Sequence, residues 1–306
     1  MPSPTSRDVH IERPLSNVSI AYKNESYLYP FVMPTIKVQS KTDHYWKFPK
    51  QSWFINSVGT RAPGTRAPRA DYDLTSASYV CINRSLAKAV PDEVRLNADS
   101  PLRPDIEAAE FVTDQLMKDS EIRVANMTTG GSALWASAST PSTAWTSDTS
   151  NPYDDIDDSI SAVILAIGRM PNVMVTSWDV WRNLRNHPDL LARVQYTRPG
   201  SRITAQDMKD WFGVEKFLVG TSVYDSAKEG AAASNAYIWG NSMWIGYVTP
   251  TPSLMTPSAG YVFEWRNRTV RRFREQQEYT DVIEVSHDID EVITACDAGA
   301  VLYSVI

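Results

Sequence analysis

The sequence of 306 residues predicts an α+β fold with a protruding hairpin, and three features carry this prediction. Residues 172–196 hold a short β run followed at once by a helix. Residues 101–124 show the three- and four-residue apolar spacing of a long amphipathic helix. Residues 41–92 contain two β-like segments joined by a tip rich in glycine and proline, with too few apolar side chains for a core of their own. The hairpin must therefore lie on its own domain or on a neighbouring subunit.

The strand–helix block has clear start and stop signals. The β run 173–175 ends at Thr176-Ser177, where the Ser177 hydroxyl can cap the free amides of a first helical turn. One face of the helix then carries Trp178, Trp181, Leu184 and Arg185. The pair His187-Pro188 ends it, because proline disfavours helical geometry in the preceding residue.

Composition excludes several classes of protein. Hydrophobic residues at 42% and charged residues at 22% are ordinary soluble values, and the net charge of −6 argues against a broad basic surface for nucleic acid. No apolar run reaches the roughly 20 residues that span a bilayer, and the start MPSPTSRDVHIERP lacks the hydrophobic segment of a signal peptide. Cys81 and Cys296 are too few for a disulfide framework or a cysteine-based zinc site. We predict a chain made in the cytoplasm and without a membrane partner.

The hairpin tip contains a tandem repeat. One strand is predicted at His44–Phe48 and a returning strand at Tyr72–Leu86. Between them, GTRAP occurs at Gly59–Pro63 and again at Gly64–Pro68, and its prolines and glycines rule out a regular helix or a central strand. The alternative to a contact loop is a disordered surface loop.

The aromatic content points to subunit contacts. Ten tryptophans and fourteen tyrosines are many for this length, and these residues are enriched where a ring is partly buried against a partner. Four tryptophans in polar contexts are Trp46, Trp53, Trp135 and Trp145. For any single ring, a place in the core or as a scattered surface ring is the favoured interpretation, and only the group as a whole favours subunit contacts.

The remaining elements complete a mixed unit of helix and sheet. A helix is predicted from Asp154 to Ile167 with Gly168 as its left-handed end, and another at Ala205–Phe212 between a Thr204 cap and Gly213. A basic run occupies Arg266–Arg274. Further strands are predicted at Val214–Val219, Ala236–Trp239, Trp244–Thr249, Tyr261–Trp265, Asp281–Val285 and Val301–Val305.

Enzymatic signals are weak. The acidic run Asp154, Asp155, Asp157 and Asp158 lies where a helix N-terminus favours negative charge and lacks the spacing of an EF-hand. The segment 287–290, His-Asp-Ile-Asp, is explained by turn residues after a strand. No nucleophile elbow, phosphate loop or dinucleotide fingerprint occurs. We therefore predict no enzyme activity and no catalytic, cofactor-binding or metal site.

Several segments resemble the major capsid proteins of tailed bacteriophages with the Hong Kong 97-type fold. The block Val180–Pro188 is similar to the family's VWxxLRNHP segment, and Thr60–Val90 resembles its extended loop with an RAPG tip. Matches that follow in the family's order are Ala89–Glu93, Asn97–Asp99, Phe217–Gly220, Trp239-Gly240 and Asp297–Gly299.

The resemblance implies a domain plan. It comprises an N-terminal arm at 1–40, an extended hairpin loop at 41–92, a peripheral domain with a long spine helix at 93–150 and 266–306, and an apical mixed α/β domain at 151–265. The implied function is self-assembly into pentamers and hexamers of an icosahedral shell around the viral genome. The chain would be assembled in the host cytoplasm and located in the virion.

Partners follow from the same resemblance. The front of the chain has no space for the long N-terminal scaffolding extension of some family members, which implies a separate scaffolding protein or a pre-processed chain. A portal and a possible decoration protein are further implied partners, and packaged DNA would lie inside without sequence-specific binding. The candidates for interface residues are Trp46, Trp53, Phe54, Arg61, Arg66 and Arg69.

Alternatives stay open at this point. The nearest is an encapsulin-type nanocompartment, which shares the fold but encloses cargo proteins. A soluble α/β hydrolase or binding protein is the second. The three arginines of the tip could also mark a phosphate-binding patch.

Overall fold

A computed structural model describes residues 27–47, 54–67, 69, 71, 75–98, 103–130, 134–196, 200–227, 232–252 and 256–306. Its helices are α1 (Tyr29–Val32), α2 (Asp92–Leu96), α3 (Pro104–Thr129), α4 (Pro152–Ile167), α5 (Trp178–Leu184), α6 (Pro188–Val194) and α7 (Ala205–Phe212), with a 3-10 turn at Cys296–Ala298. Its strands are β1 (Thr35–Lys37), β2 (Thr42–Lys47), β3 (Thr75–Val80), β4 (Ile82–Pro91), β5 (Ser137–Ser139), β6 (Val173–Ser177), β7 (Lys216–Gly220), β8 (Val223–Asp225), β9 (Asn235–Tyr237), β10 (Met243–Gly246), β11 (Gly260–Glu275), β12 (Thr280–Ile293) and β13 (Gly299–Leu302).

A four-stranded sheet in the order β1-β11-β12-β4 forms one half of the molecule. The long hairpin β11–β12 is its centre, and β4 runs antiparallel to β12 along the whole of β4. The spine helix α3 packs on this sheet through an apolar cluster of Ala109, Val112, Val270, Ile283 and Val285. None of the helices in the described ranges combines the length and apolar character needed to cross a membrane.

A five-stranded sheet in the order β5-β13-β10-β6-β7 forms the other half. Strand β10 pairs antiparallel with both β13 and β6, while β7 lies parallel to β6. Helices α4 to α7 cover it through a core that contains Ile156, Trp181, Leu190, Phe212 and Met243. Every residue of β6 and β10 is buried, as expected for central strands covered on both faces.

The local signals at helix ends are confirmed. The Ser177 hydroxyl accepts a hydrogen bond from the Val180 amide, and Thr204 forms a full capping box with Asp207. Gly168 has φ 67° and ends α4 in the left-handed region. Helix α5 ends at Leu184, before the predicted stop at His187-Pro188. His187 instead caps α6, and Pro188 begins it, because proline suits the first helical position.

A second apolar core joins the two sheets. It includes Val262 and Ile289 of the four-stranded sheet together with Val175, Trp244 and Val301 of the five-stranded sheet. The segment Leu28, Val32 and Met33, which belongs to the predicted arm, is buried in the same core. The described part of the arm is therefore a wedge between the two sheets, while the prediction for residues 1–26 lies outside the described residues.

Several strand predictions need correction. The returning strand of the hairpin is two strands, β3 and β4, and β4 belongs to the four-stranded sheet. The basic run Arg266–Arg274 lies within β11, and residues 287–290 lie within β12 instead of a turn. The turn prediction for residues 287–290 is wrong because β12 extends beyond its apolar stretch, and β11 likewise extends beyond the predicted end at Trp265. Residues 299–302 and 137–139, outside the predicted apical range, pair in the five-stranded sheet, since β13 is needed as the second partner of β10.

Two of the four tryptophans are in the core. Trp145 is 1% exposed and donates its indole N–H to Asp155, and Trp135 is 4% exposed and donates to the Thr128 carbonyl. Their polar sequence context misled because each indole N–H finds a single polar partner while its ring packs on apolar neighbours. For these two residues the core interpretation holds, and they do not contribute to the group of contact aromatics.

Candidate subunit interface

The extended loop has a fixed base. Strands β2 and β3 pair in the register Thr42↔Val80 to Lys47↔Thr75, and Tyr79 stacks on Phe263 of β11 with ring centroids 4.5 Å apart. The Val80 amide donates to the Asp290 carboxylate over 2.9 Å. The hairpin thus leaves the four-stranded sheet from an aromatic anchor, so its direction is set by the body of the subunit.

The rest of the loop exposes apolar and cationic side chains together. Phe54 is 57% exposed, Ile55 66% and Val58 89%. Large apolar groups left in water beyond an anchored base are typical of a surface that another molecule covers. The Phe54 ring has one contact within the subunit, because it lies against Gly168 at the end of α4.

The predicted interface residues are dispersed along this loop. Trp46 is 59% exposed on β2, and Arg61, Arg66 and Arg69 are exposed at or near the tip. Trp53 lies outside the described residues. The structure brings none of the described candidates into contact with another, so their role as contacts stays a prediction. Ile55 and Val58 were missed, although their apolar character beside a repeat of turn residues was a usable signal.

Strand β4 offers a second exposed surface. Arg84 and Lys88 face the spine helix, where Arg84 approaches Asp119 at 3.9 Å and the Lys88 ammonium lies over Phe111. Side chains alternate between the two faces of a strand, so Ser85, Ala87 and Ala89 point away from the spine helix. All three residues are exposed. In the described residues β4 is also the edge of its sheet. This edge of the sheet therefore exposes small side chains in the described residues.

A cluster of ion pairs, the clasp, fixes the root of β4. Arg95 of α2 pairs with Asp105 of the spine helix and with Asp281 of β12, each at 2.8 Å. Arg272 also pairs with Asp281, at 2.6 Å, and Arg274 makes two hydrogen bonds to Asp92. The members of the clasp are Asp92, Arg95, Asp105, Arg272, Arg274 and Asp281. It ties the loop's return to the spine and to the β11–β12 hairpin.

The clasp shifts the titration of its acids. Burial raises the pKa of Asp281, but hydrogen bonds from Arg272, Arg95 and Arg274 outweigh it and hold this pKa below the ordinary 3.8. A hydrogen bond from Arg274 likewise lowers the pKa of Asp92. A carboxyl with a lowered folded pKa stabilises the fold above its unfolded pKa, and that contribution is lost as the pH falls through the folded pKa.

We therefore expect acid to weaken the clasp. The wild-type melting temperature should fall as the pH is lowered from about 5 to about 2, and Asp281→Asn should flatten this fall by removing one titrating group. At neutral pH the same substitution should cost about 1.5–3 kcal/mol, the range for a hydrogen bond to a charged group. Calorimetry across the pH range tests this, and parallel curves for both proteins would contradict it.

Other polar residues hold the subunit together. His287 contacts Glu264 at 2.7 Å, and Asp288 accepts from Asn83. Within the described ranges no group of three or more His, Cys, Asp or Glu is arranged to hold a metal ion. The acidic run starts α4, with Asp154 and Asp155 in the first turn. These observations describe structural roles for the residues weighed earlier as catalytic or metal-binding.

Curated relatives of the chain are phage capsid proteins. The major capsid protein of Burkholderia phage BcepMu is 26% identical over 299 residues, covering 93% of each chain. That of Pseudomonas phage JBD67 is 22% identical over 234 residues, covering 75% of this chain and 74% of its own. No protein-family model matches the chain.

Solved structures share the fold across nearly the whole chain. A phage-related protein from Bordetella bronchiseptica RB50 has a TM-score of 0.76 at 24% identity and covers 97% of this chain and 98% of its own. The capsid of cyanophage P-SCSP1u has a TM-score of 0.59 at 12% identity, with 92% and 89% covered. A virus-like particle from Pyrococcus furiosus has a TM-score of 0.57 at 14% identity, with 94% and 95% covered.

The chain therefore has the Hong Kong 97-type capsid fold. The predicted resemblance to the major capsid proteins of tailed phages is confirmed.

Proposed function

We propose that this chain is the major capsid protein of a tailed phage, which assembles as pentamers and hexamers into an icosahedral shell around the genome. The observation that carries the proposal is an extended loop anchored at its base and exposed beyond it, on a fold whose curated relatives are major capsid proteins. A subunit alone leaves Phe54, Ile55 and Val58 in water, and a neighbour would cover them.

Assembly rests on many modest contacts. The loop would lie on a neighbouring subunit, with Trp46, Trp53 and Phe54 as apolar contacts and Arg61, Arg66 and Arg69 as cationic ones. The exposed small residues of β4, a strand at the edge of its sheet in the described residues, support β4 as the candidate receiving surface. Each contact can be weak, because a subunit held by several neighbours gains effective concentration at every one of them.

The domain plan is part of this proposal. The spine helix α3 and the four-stranded sheet would form the peripheral domain, and the five-stranded sheet with α4 to α7 the apical domain. A separate scaffolding protein, a portal and a possible decoration protein are the proposed partners. Assembly would take place in the host cytoplasm, and the chain would act without catalysis. The net charge of −6 supports an inner surface of the shell that does not bind DNA tightly.

A nanocompartment is the second candidate, because one structural neighbour is a virus-like particle from Pyrococcus furiosus. The two differ in what the shell encloses. A phage capsid needs a portal and takes up DNA, whereas a compartment of this kind encloses a protein. The curated relatives from phages BcepMu and JBD67 are major capsid proteins, which favours the phage capsid over the nanocompartment.

The test is to express the chain with and without its neighbouring scaffold gene and to examine the product by light scattering and negative-stain electron microscopy. We expect closed shells, or rings of five and six subunits. A monomer in both preparations would contradict the proposal. Shells that copurify with one host enzyme would favour the nanocompartment.

A further inference from the structure

A buried carboxylate in the spine helix holds the N-terminal segment. Glu121 is fully buried in α3. Its Oε2 accepts from the Tyr29 amide at 2.7 Å, both of its oxygens accept from the Leu28 amide at 3.0 Å, and its Oε1 accepts from the Trp239 indole N–H at 2.6 Å. Three elements that are far apart in sequence thus meet at one side chain.

These hydrogen bonds are directional as well as strong. Tyr29 begins α1, and Pro30 follows it. The Leu28 and Tyr29 amides, which donate to Glu121, are therefore the backbone donors at the start of this short helix that have no partner within it. Burial raises the pKa of Glu121, while the amides and the indole stabilise its charge. Hydrogen bonds to a charged group in a water-free site are costly to lose.

The indole cannot move to relieve a mismatch. Trp239 is fully buried, and a Cβ atom at Gly220 would overlap its ring. The ring therefore occupies space that exists only because residue 220 is glycine. If the Glu121 side chain is changed, the contact with residues 27–33 must therefore shift, because the indole contact cannot.

We propose that Glu121 is the positioning residue of the N-terminal arm: it fixes the point on the spine helix from which the arm leaves, and it couples the docking of the arm to the packing of Trp239. The arm's exit is then set by the subunit itself before any neighbour is present. The coupling rests on the contacts of Glu121 alone, and only its consequence for assembly rests on the proposed shell function.

The test uses a double-mutant cycle in the full chain. In Glu121→Gln the new amide nitrogen must face either the Trp239 N–H or the Tyr29 N–H, and both are donors. Trp239→Phe alone leaves both arm hydrogen bonds intact. In the double variant, the introduced glutamine can turn its oxygen to the Tyr29 and Leu28 amides and its nitrogen to the introduced phenylalanine ring. The opposition of the indole donor is then gone, and only the shared Leu28 amide still approaches the nitrogen side.

Hydrogen exchange of the Leu28 and Tyr29 amides, read by mass spectrometry, reports the arm directly. We expect Glu121→Gln to speed their exchange by about ten- to a hundredfold, Trp239→Phe to change it little, and the double variant to restore much of the protection. Amides of Met174 and Val175 in β6 should stay protected throughout. Glu110→Gln on the same helix is the matched control.

Two outcomes would overturn the proposal: unchanged exchange at Leu28 and Tyr29 in Glu121→Gln, or exchange that rises equally in β6, which would mean general destabilisation. If the double variant exchanges faster than Glu121→Gln, the coupling to Trp239 is wrong. Electron microscopy of the same variants is read separately, so that a fault in the arm is distinguished from a chain that forms no shells.

Discussion

Deletion of residues 59–68 is expected to leave a folded subunit that forms no closed shells. The segment lies beyond the aromatic anchor of Tyr79 and Phe263, and its described residues are exposed, so little of the subunit's core depends on it. Its loss should change the melting temperature only slightly, because surface segments away from buried features contribute little to stability. Shell yield by electron microscopy should fall to background.

The charge of the tip can be tested separately from its length. Arg61→Glu combined with Arg66→Glu should reduce shell yield at least about tenfold, if a cationic tip meets a neighbour, because like charges at a contact repel. The matched control reverses Arg182 and Arg202, which are exposed elsewhere on the subunit. Normal shells from the deletion variant would contradict the contact role of the tip. Equal losses of shell yield in the tip variant and in the control variant would indicate general electrostatic repulsion instead.

Trp135→Ala and Trp46→Ala are expected to have opposite effects, although the sequence placed both tryptophans in one group. Trp135 packs against Trp244 with ring centroids 5.6 Å apart, so truncation removes a large ring from the core between the sheets. We expect a loss of about 3–5 kcal/mol in the free energy of unfolding. Trp46 is 59% exposed. Its truncation should cost about 0.5 kcal/mol or less.

The readouts separate folding from assembly. Urea denaturation of the soluble subunit measures the free energy of unfolding, and shell yield measures the contact. Trp46→Ala should lower shell yield while its denaturation midpoint stays near that of the wild type. A large stability loss in Trp46→Ala, or none in Trp135→Ala, would contradict the positions of these two rings.

Local structure was predictable because its causes lie within a few residues. The caps at Ser177 and Thr204 and the left-handed Gly168 were all expected, since each depends on one side chain and the next helical turn. The spine helix was placed to within a few residues at its start, where Pro104 opens it. Its end extends beyond Val124 because tertiary packing on the second core continues there.

Long-range partners were not predictable in the same way. Glu121 looks in the sequence like one more charged residue on an amphipathic helix, and only the fold brings Leu28 and Trp239 to it. The clasp likewise joins Asp92 to Arg274 across most of the chain. The loop could be proposed as a contact site because its repeat of turn residues is visible in the sequence. Its role as a contact stays a prediction, and the sequence does not indicate which surface would receive it.

The pairing of distant strands also governs how quickly a subunit can form. Strand β1 pairs with β11, and β4 with β12, across most of the chain, while β5 pairs with β13 across a shorter separation of about half the chain. Chains dominated by such non-local contacts fold slowly, because the entropy of closing large loops is lost before the contacts repay it. The core between the sheets draws on strands from both sheets, so it depends on these distant pairs. The topology therefore predicts slow folding of the subunit.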